Sequence, residues 1–118
     1  MKFLIVDDSR LARATLREVL EELGHEIVGE AVDGLEAEEQ YAALSPEGVV
    51  MDIEMPRQDG VVTTKKLLEK DPNALVIIVS SIVNKSLLTE VMGHGAKGVV
   101  HKPVKKEALF RCLQTATR

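Results

Sequence analysis

The sequence predicts an α/β protein: a doubly wound (βα)5 three-layer sandwich with one five-stranded parallel sheet at its centre. Two observations carry that prediction. Short apolar runs rich in β-branched residues alternate five times with segments whose apolar residues recur at helical spacing. Four of those runs are continuous rather than alternating, as expected of strands covered by helices on both faces. A third observation points to function. The runs end in polar residues: Asp7 and Asp8 after the first, Asp52 after the third, Ser80 after the fourth and Lys102 after the fifth. Ligands of open α/β sheets bind outside the carboxyl ends of strands, so these residues are candidates for one shared site.

Taken in order, Phe3-Leu4-Ile5-Val6 is a buried-strand run that stops at Asp7-Asp8-Ser9. Ser9 is a candidate N-cap, and Leu16, Val19, Leu20 and Leu23 follow at helical spacing before Gly24. Ile27–Ala31 is a second, mixed strand suited to a sheet edge, with Asp33-Gly34 as a turn. Ala37, Tyr41 and Leu44 mark one face of a second helix, closed by Ser45-Pro46. The third strand, Val49-Val50-Met51, leads into Asp52, and a helix over about Gly60–Lys70 ends at Asp71-Pro72. Leu75–Val79 is the fourth strand. Leu87, Leu88, Val91 and Met92 mark a fourth helix closed by Gly93 and Gly95. Gly98–Lys102 is the fifth strand, broken by Pro103, and Leu109, Cys112, Leu113 and Ala116 form a last helical stripe.

Composition narrows the function classes. With 118 residues the chain is one domain, 45% hydrophobic and only 3% aromatic, so its core is aliphatic. Scarce aromatics exclude stacking platforms for single-stranded nucleic acid, and a net charge of −4 argues against nucleic-acid partners. The N-terminal apolar run Phe3–Val6 is far too short for a signal peptide or a membrane span, and the lone Cys112 allows no intrachain disulfide. A cytoplasmic location is the expectation.

Neighbouring strands lie about 4.8 Å apart, so carboxylates at adjacent strand ends come within reach of one cation. Asp7 and Asp8 point to opposite faces of a straight strand, so the chain must turn there for both to enter the site. Clustered carboxylates repel one another unless a cation joins them, and hard oxygen donors without a His or Cys cluster favour Mg2+. An ammonium and a hydroxyl beside such a centre form a phosphoryl cradle, in which one carboxylate can accept the group as an acyl phosphate.

These residues carry a family resemblance. Asp7-Asp8, the Asp52-x-x-Met55-Pro56-x-x-Asp59-Gly60 segment, Ser80-Ser81 and Gly95-Ala96…Lys102-Pro103 resemble, in order and spacing, the receiver domain of two-component response regulators. The resemblance covers the whole chain and is nearest to the single-domain chemotaxis regulators of the CheY type. It implies the flavodoxin-like strand order 2-1-3-4-5. It also implies that Asp52 is the phospho-acceptor, and that Asp8, Asp52 and the Glu54 backbone carbonyl hold Mg2+, with Asp7 acting through a metal-bound water. Lys102 then pairs with the phosphoryl oxygens, Ser80 is the switch hydroxyl, and Lys102-Pro103 is a cis bond. The implied partners are a histidine kinase as phosphodonor and an output protein that binds the face made by the fourth and fifth helices and the fifth strand. No output domain is expected within residues 1–118.

Two positions depart from the family pattern. Val99 stands at the switch position where an aromatic ring is usual, and Val104 replaces an aromatic after the Lys-Pro pair. A valine cannot signal by swinging a ring, so movement of Ser80 is expected to be reported by the loop Ser81–Lys85 or by His101, which shares the strand face of Val99. A phosphorelay intermediate, or a receiver cut from a longer regulator, would carry the same motifs. A Mg2+-dependent phosphohydrolase of the haloacid-dehalogenase kind requires Asp-x-Asp where this chain has Asp7-Asp8-Ser9. A dinucleotide site is disfavoured because no G-x-G-x-x-G follows the first strand.

Overall fold

Five strands and five helices alternate along the chain, and the computed structural model describes residues 1–82 and 84–118. They are β1 (Lys2–Val6), α1 (Arg10–Glu22), β2 (Glu26–Ala31), α2 (Gly34–Leu44), β3 (Gly48–Met51), α3 (Gly60–Lys70), β4 (Leu75–Ser80), α4 (Lys85–Gly93), β5 (Gly98–His101) and α5 (Lys106–Ala116). All strands pair in parallel in the order β2-β1-β3-β4-β5. The chain steps outward from β1 to the edge strand β2 and returns across β1 to β3. The strand order therefore reverses between β1 and β3, which is where a ligand crevice belongs.

The continuous apolar runs are explained by burial on two sides. Leu4, Val6, Val49, Met51, Val76 and Ile78 face one core with Ala37 of α2, Leu67 and Leu68 of α3 and Val91 of α4. Their sequence neighbours Phe3, Ile5, Val50, Ile77, Val79 and Val100 face a second core with Leu16 and Leu20 of α1 and Leu109 and Leu113 of α5. Strand period two thus feeds both layers at once. Cys112 packs beside the second core, and its Sγ is the atom that a side chain added at Gly98 would strike.

Side chains define where four of the helices start. Ser9 Oγ accepts from Ala12 N, Asp59 from Val62 N, and Asn84 Oδ1 from Ser86 N and Leu87 N. Asp33-Gly34, expected as a turn, instead opens α2: Asp33 is its N-cap, accepting from Glu36 N, and Gly34 is its first residue. Close approach decides this. A side chain at Gly34 would meet Thr63 Oγ1 and the Gln58 backbone, so only glycine admits α2 against α3. The apolar stripes of α2 and α4 also run less far than expected, since Leu44 is 39% and Met92 42% exposed. Gly24 adopts φ 91° after α1 and Gly95 φ 110° after α4, the left-handed conformation that ends helices. In the loop Ser81–Lys85, Val83 lies outside the described residues.

Candidate functional site

The backbone ladder of the sheet brings the site together. Val6 and Met51 are register partners in the β1–β3 pair, and Asp52 N donates to Val6 O at 3.0 Å just beyond them. Asp7 N donates to Ala31 O at 3.1 Å on the other side of β1. Asp7 and Asp52 therefore leave neighbouring strands at the same level. The required turn is present, because Ser9 N folds back to donate to Asp7 Oδ1 at 2.9 Å. It carries exposed Asp8 round to the same side, and each of Asp7, Asp8 and Asp52 offers a carboxylate oxygen within 4.8 Å of the others.

Lys102 follows β5, held by Lys102 N donating to Ser80 O at 3.0 Å, and the Lys102-Pro103 bond is cis. Its Nζ crosses the mouth of the sheet to lie 2.8 Å from Asp7 Oδ2 and 3.4 Å from Asp52 Oδ2. Asp7 is 1% and Asp52 7% exposed, so both carboxylates are nearly dry. Burial pushes the Asp52 carboxyl above its ordinary value; the Lys102 ammonium pulls it back and the Asp7 carboxylate adds to the rise. Lys102 shows the converse balance. Burial opposes its charge, but hydrogen bonding to Asp7 and the field of both carboxylates outweigh that and hold its pKa above the usual lysine value.

Ser80, the last residue of β4, is fully buried, and its Oγ accepts from Ile82 N at 3.0 Å. Glu54 is exposed beside Asp8 along a groove between α3 and α4. Val99 is partly buried and packs against the core that contains Val91, while His101 is exposed beside Ser80 across the β4–β5 ladder.

The sequence profile of the response regulator receiver domain matches residues 3–114. The chain belongs to that family. The receiver is 34% identical to the chemotaxis protein CheY of Thermotoga maritima over 117 residues, 99% of this chain and 98% of that protein. It is 41% identical to CheY of Halobacterium salinarum over 110 residues, covering 93% and 91% of the two. Among solved structures it superimposes on CheX–CheY–BeF3–Mg2+ of Borrelia burgdorferi with a TM-score of 0.96 at 29% identity, covering all of this chain and 90% of that one.

Two supports of the receiver site escape a reading of motifs. Arg13 Nη1 donates to the Asp7 backbone carbonyl at 2.8 Å, while its Nε donates to Glu30 Oε1 at 2.9 Å. Arg17 grips the other oxygen of Glu30 at 2.7 Å. These hydrogen bonds, that of Arg17 foremost, hold the Glu30 carboxyl below its usual range against a smaller effect of burial. Arg13 thus ties the acidic turn to β2. On the opposite flank Arg57 Nε donates to buried Asp33 Oδ2 at 2.7 Å, which holds the Asp33 carboxyl low and ties the loop after β3 to the start of α2. Helical spacing puts Arg13 and Arg17 on one face of α1, but their partner lies in another element and cannot be found by pattern.

Proposed function

We propose that this receiver accepts a phosphoryl group on Asp52 from a histidine kinase, with Mg2+ bound, and changes shape to control a partner protein. The observation that carries the proposal is the Lys102 ammonium set 2.8 Å from Asp7 and 3.4 Å from Asp52. That ammonium stands where it can follow charge as it develops on a transferring phosphoryl group.

The donor set suits a hard divalent ion: three carboxylates, two of them nearly dry, with no sulfur or imidazole among them. Asp7, Asp8 and Asp52, with the backbone carbonyl of Glu54, would hold Mg2+, which when bound neutralises the acids and the phosphoryl oxygens. Asp52 supplies the attacking oxygen. As its O–P bond forms, the bond from phosphorus to the donor breaks, and the donor leaves with that electron pair. Burial raises the basicity of Asp52, and the Lys102 ammonium beside it offsets part of that rise. Ser80 Oγ already accepts from Ile82 N, so its O–H remains to donate to a phosphoryl oxygen. The readout is then movement of Ser80 and its loop.

The full-length likeness to CheY proteins supports chemotaxis-type signalling, with output through the face of α4, β5 and α5. No helix among the described residues is long and apolar enough to cross a membrane. The test is incubation with acetyl phosphate or phosphoramidate, with and without Mg2+, followed by intact mass. One added phosphoryl group is expected on wild type with metal, and none on Asp52→Asn. Repeated turnover of a generic phosphomonoester would instead mark a phosphohydrolase, and no adduct at all would overturn the proposal.

A further inference from the structure

Beside the phosphoryl site, α3 and α4 part to leave an open groove of about 870 Å3. Its floor is apolar, made by Ile53, Val61, Val62, Ile82 and Leu87. Its rim is acidic, with Asp8, Glu54, Asp59 and Glu90, and no Lys or Arg is among the described lining residues. Farther along the same helices a smaller hollow of about 370 Å3 continues from Val61, Val62 and Glu90 past Lys65, Lys66 and His94. Lys66 Nζ donates to Gln58 Oε1 at 2.9 Å, and Lys65 is an exposed cation 4.0 Å from Glu69. The furrow is therefore strongly acidic at its phosphoryl-site end and mixed at the other.

Of this floor Ile53 and Val61 are buried, Ile82 and Leu87 are half-buried, and Val62 is the residue that opens to solvent. Val62 remains 42% exposed here although it lies in the first turn of a helix whose other apolar residues are buried. An occupant must place apolar side chains on this floor and cations against Glu54, Asp59 and Glu90, the rim carboxylates other than the Asp8 assigned to the metal. An amphipathic helix with a Leu-type stripe flanked by Lys or Arg meets both demands. Like charges on an acidic segment would be repelled from the same rim.

We propose that the α3–α4 groove is a docking surface for a basic amphipathic helix of a partner protein, distinct from the face of α4, β5 and α5. The groove also has a direct line to the switch residue. Its wall includes Ile82, whose N–H is held by Ser80 Oγ at 3.0 Å. When Ser80 moves toward a phosphoryl group, the Ile82 N–H that donates to its hydroxyl moves with it, and the part of the groove that Ile82 forms shifts. A phosphoryl group on Asp52 also adds negative charge close to Asp8 at the acidic end. Both changes act on the groove without an aromatic ring at Val99. This regulatory part rests on phosphorylation of Asp52; the docking itself does not.

The probe is a fluorescein-labelled, terminally blocked 14-residue peptide with leucines at i, i+3, i+4 and i+7 and lysines beside them; its control carries glutamates in place of the lysines. Binding is read by anisotropy and by amide shifts, on samples whose phosphorylation is measured by intact mass. We expect saturable binding of the lysine peptide, with the largest shifts at Val62, Ile82 and Leu87. Val62→Glu and Glu90→Lys, neither of them in the phosphoryl site, should weaken it about tenfold while leaving phosphorylation intact. Phosphorylation of wild type should tighten it at least about threefold, an effect that weakens with salt. Shifts centred on α5 or α1, equal binding of the control peptide, or indifference to both substitutions overturns the docking surface. A phosphoryl adduct that leaves affinity unchanged overturns its regulation alone. Absence of any adduct removes the phosphoryl mechanism and the regulation with it, and the docking surface is then decided by the two variants on unphosphorylated protein.

Discussion

Tyr41 is the sole tyrosine in a chain without tryptophan, which makes its ionisation directly visible by absorbance near 295 nm. Its hydroxyl donates to Asp71 Oδ2 at 2.7 Å, joining α2 to the residue that ends α3. Burial first, and then the hydrogen bond and charge of Asp71, push the phenol up to about 12. The ordinary value is about 10, so the fold favours the neutral phenol. The resulting stability is complete below about pH 10 and is lost as pH rises through the folded-state value of about 12. A rapid spectrophotometric titration should therefore show a midpoint near 12 for native protein and near 10 in denaturant. Asp71→Asn should bring the native midpoint down but leave it above 10, because burial is the larger cause. A native midpoint of 10 would show that the contact does not form in solution.

The helix α3 is fitted to Asp52 by a glycine. Gly60 N donates to Ile53 O at 2.7 Å, and a side chain added at Gly60 would overlap the Asp52 carbonyl oxygen. Backbone cannot rotate aside as a flexible side chain does. Gly60→Ala should destabilise the fold by about 1–3 kcal/mol, as overpacking does, and slow phosphorylation by displacing Asp52. Gly93, at the end of α4, has nothing within 4 Å of an added Cβ. Gly93→Ala should be neutral or stabilising by up to about 1 kcal/mol. Urea denaturation of the two variants side by side separates these outcomes. Motifs explain why some elements can be read without a structure and others cannot. The strands announce themselves because runs such as Leu75–Val79 must be apolar on both faces. Asp33-Gly34 reads wrongly as a turn because an N-cap and its first helical residue look like one, and the contacts that decide otherwise lie in Thr63 and Gln58. The carboxylates, Ser80 and Lys102 were visible because their chemistry resides in side chains at strand ends. Arg13 and Ile82 were not, since what matters is a backbone carbonyl held by one and a backbone N–H offered by the other.

Asp7, Asp8 and Asp52 give the molecule as a whole an acidic apex that folding must hold together against repulsion. Lys102 offsets part of it, reaching Asp7 and Asp52, while Asp8 remains exposed. Mg2+ at ten times its dissociation constant should raise stability by about 1.4 kcal/mol, roughly 5 °C in melting temperature for a domain of this size. Asp8→Asn should melt higher than wild type in EDTA, because a repelling charge is gone, and should lose most of the Mg2+-dependent rise. Calorimetry with and without metal checks both; an Asp8→Asn protein that melts lower in EDTA would mean that the apex is not strained by its charge.

The spacing of Asp7 and Asp52 is set first by peptide hydrogen bonds on either side of β1. Helix faces and outer loops away from Arg13 and Gly60 can thus diverge among descendants of this chain, acquiring new binding faces while the two carboxylates keep their places. One extra residue between Val50 and Asp52 would be a different matter. It would turn the Asp52 carboxylate to the far side of the sheet, away from Asp7 and Lys102, however well the rest still folded.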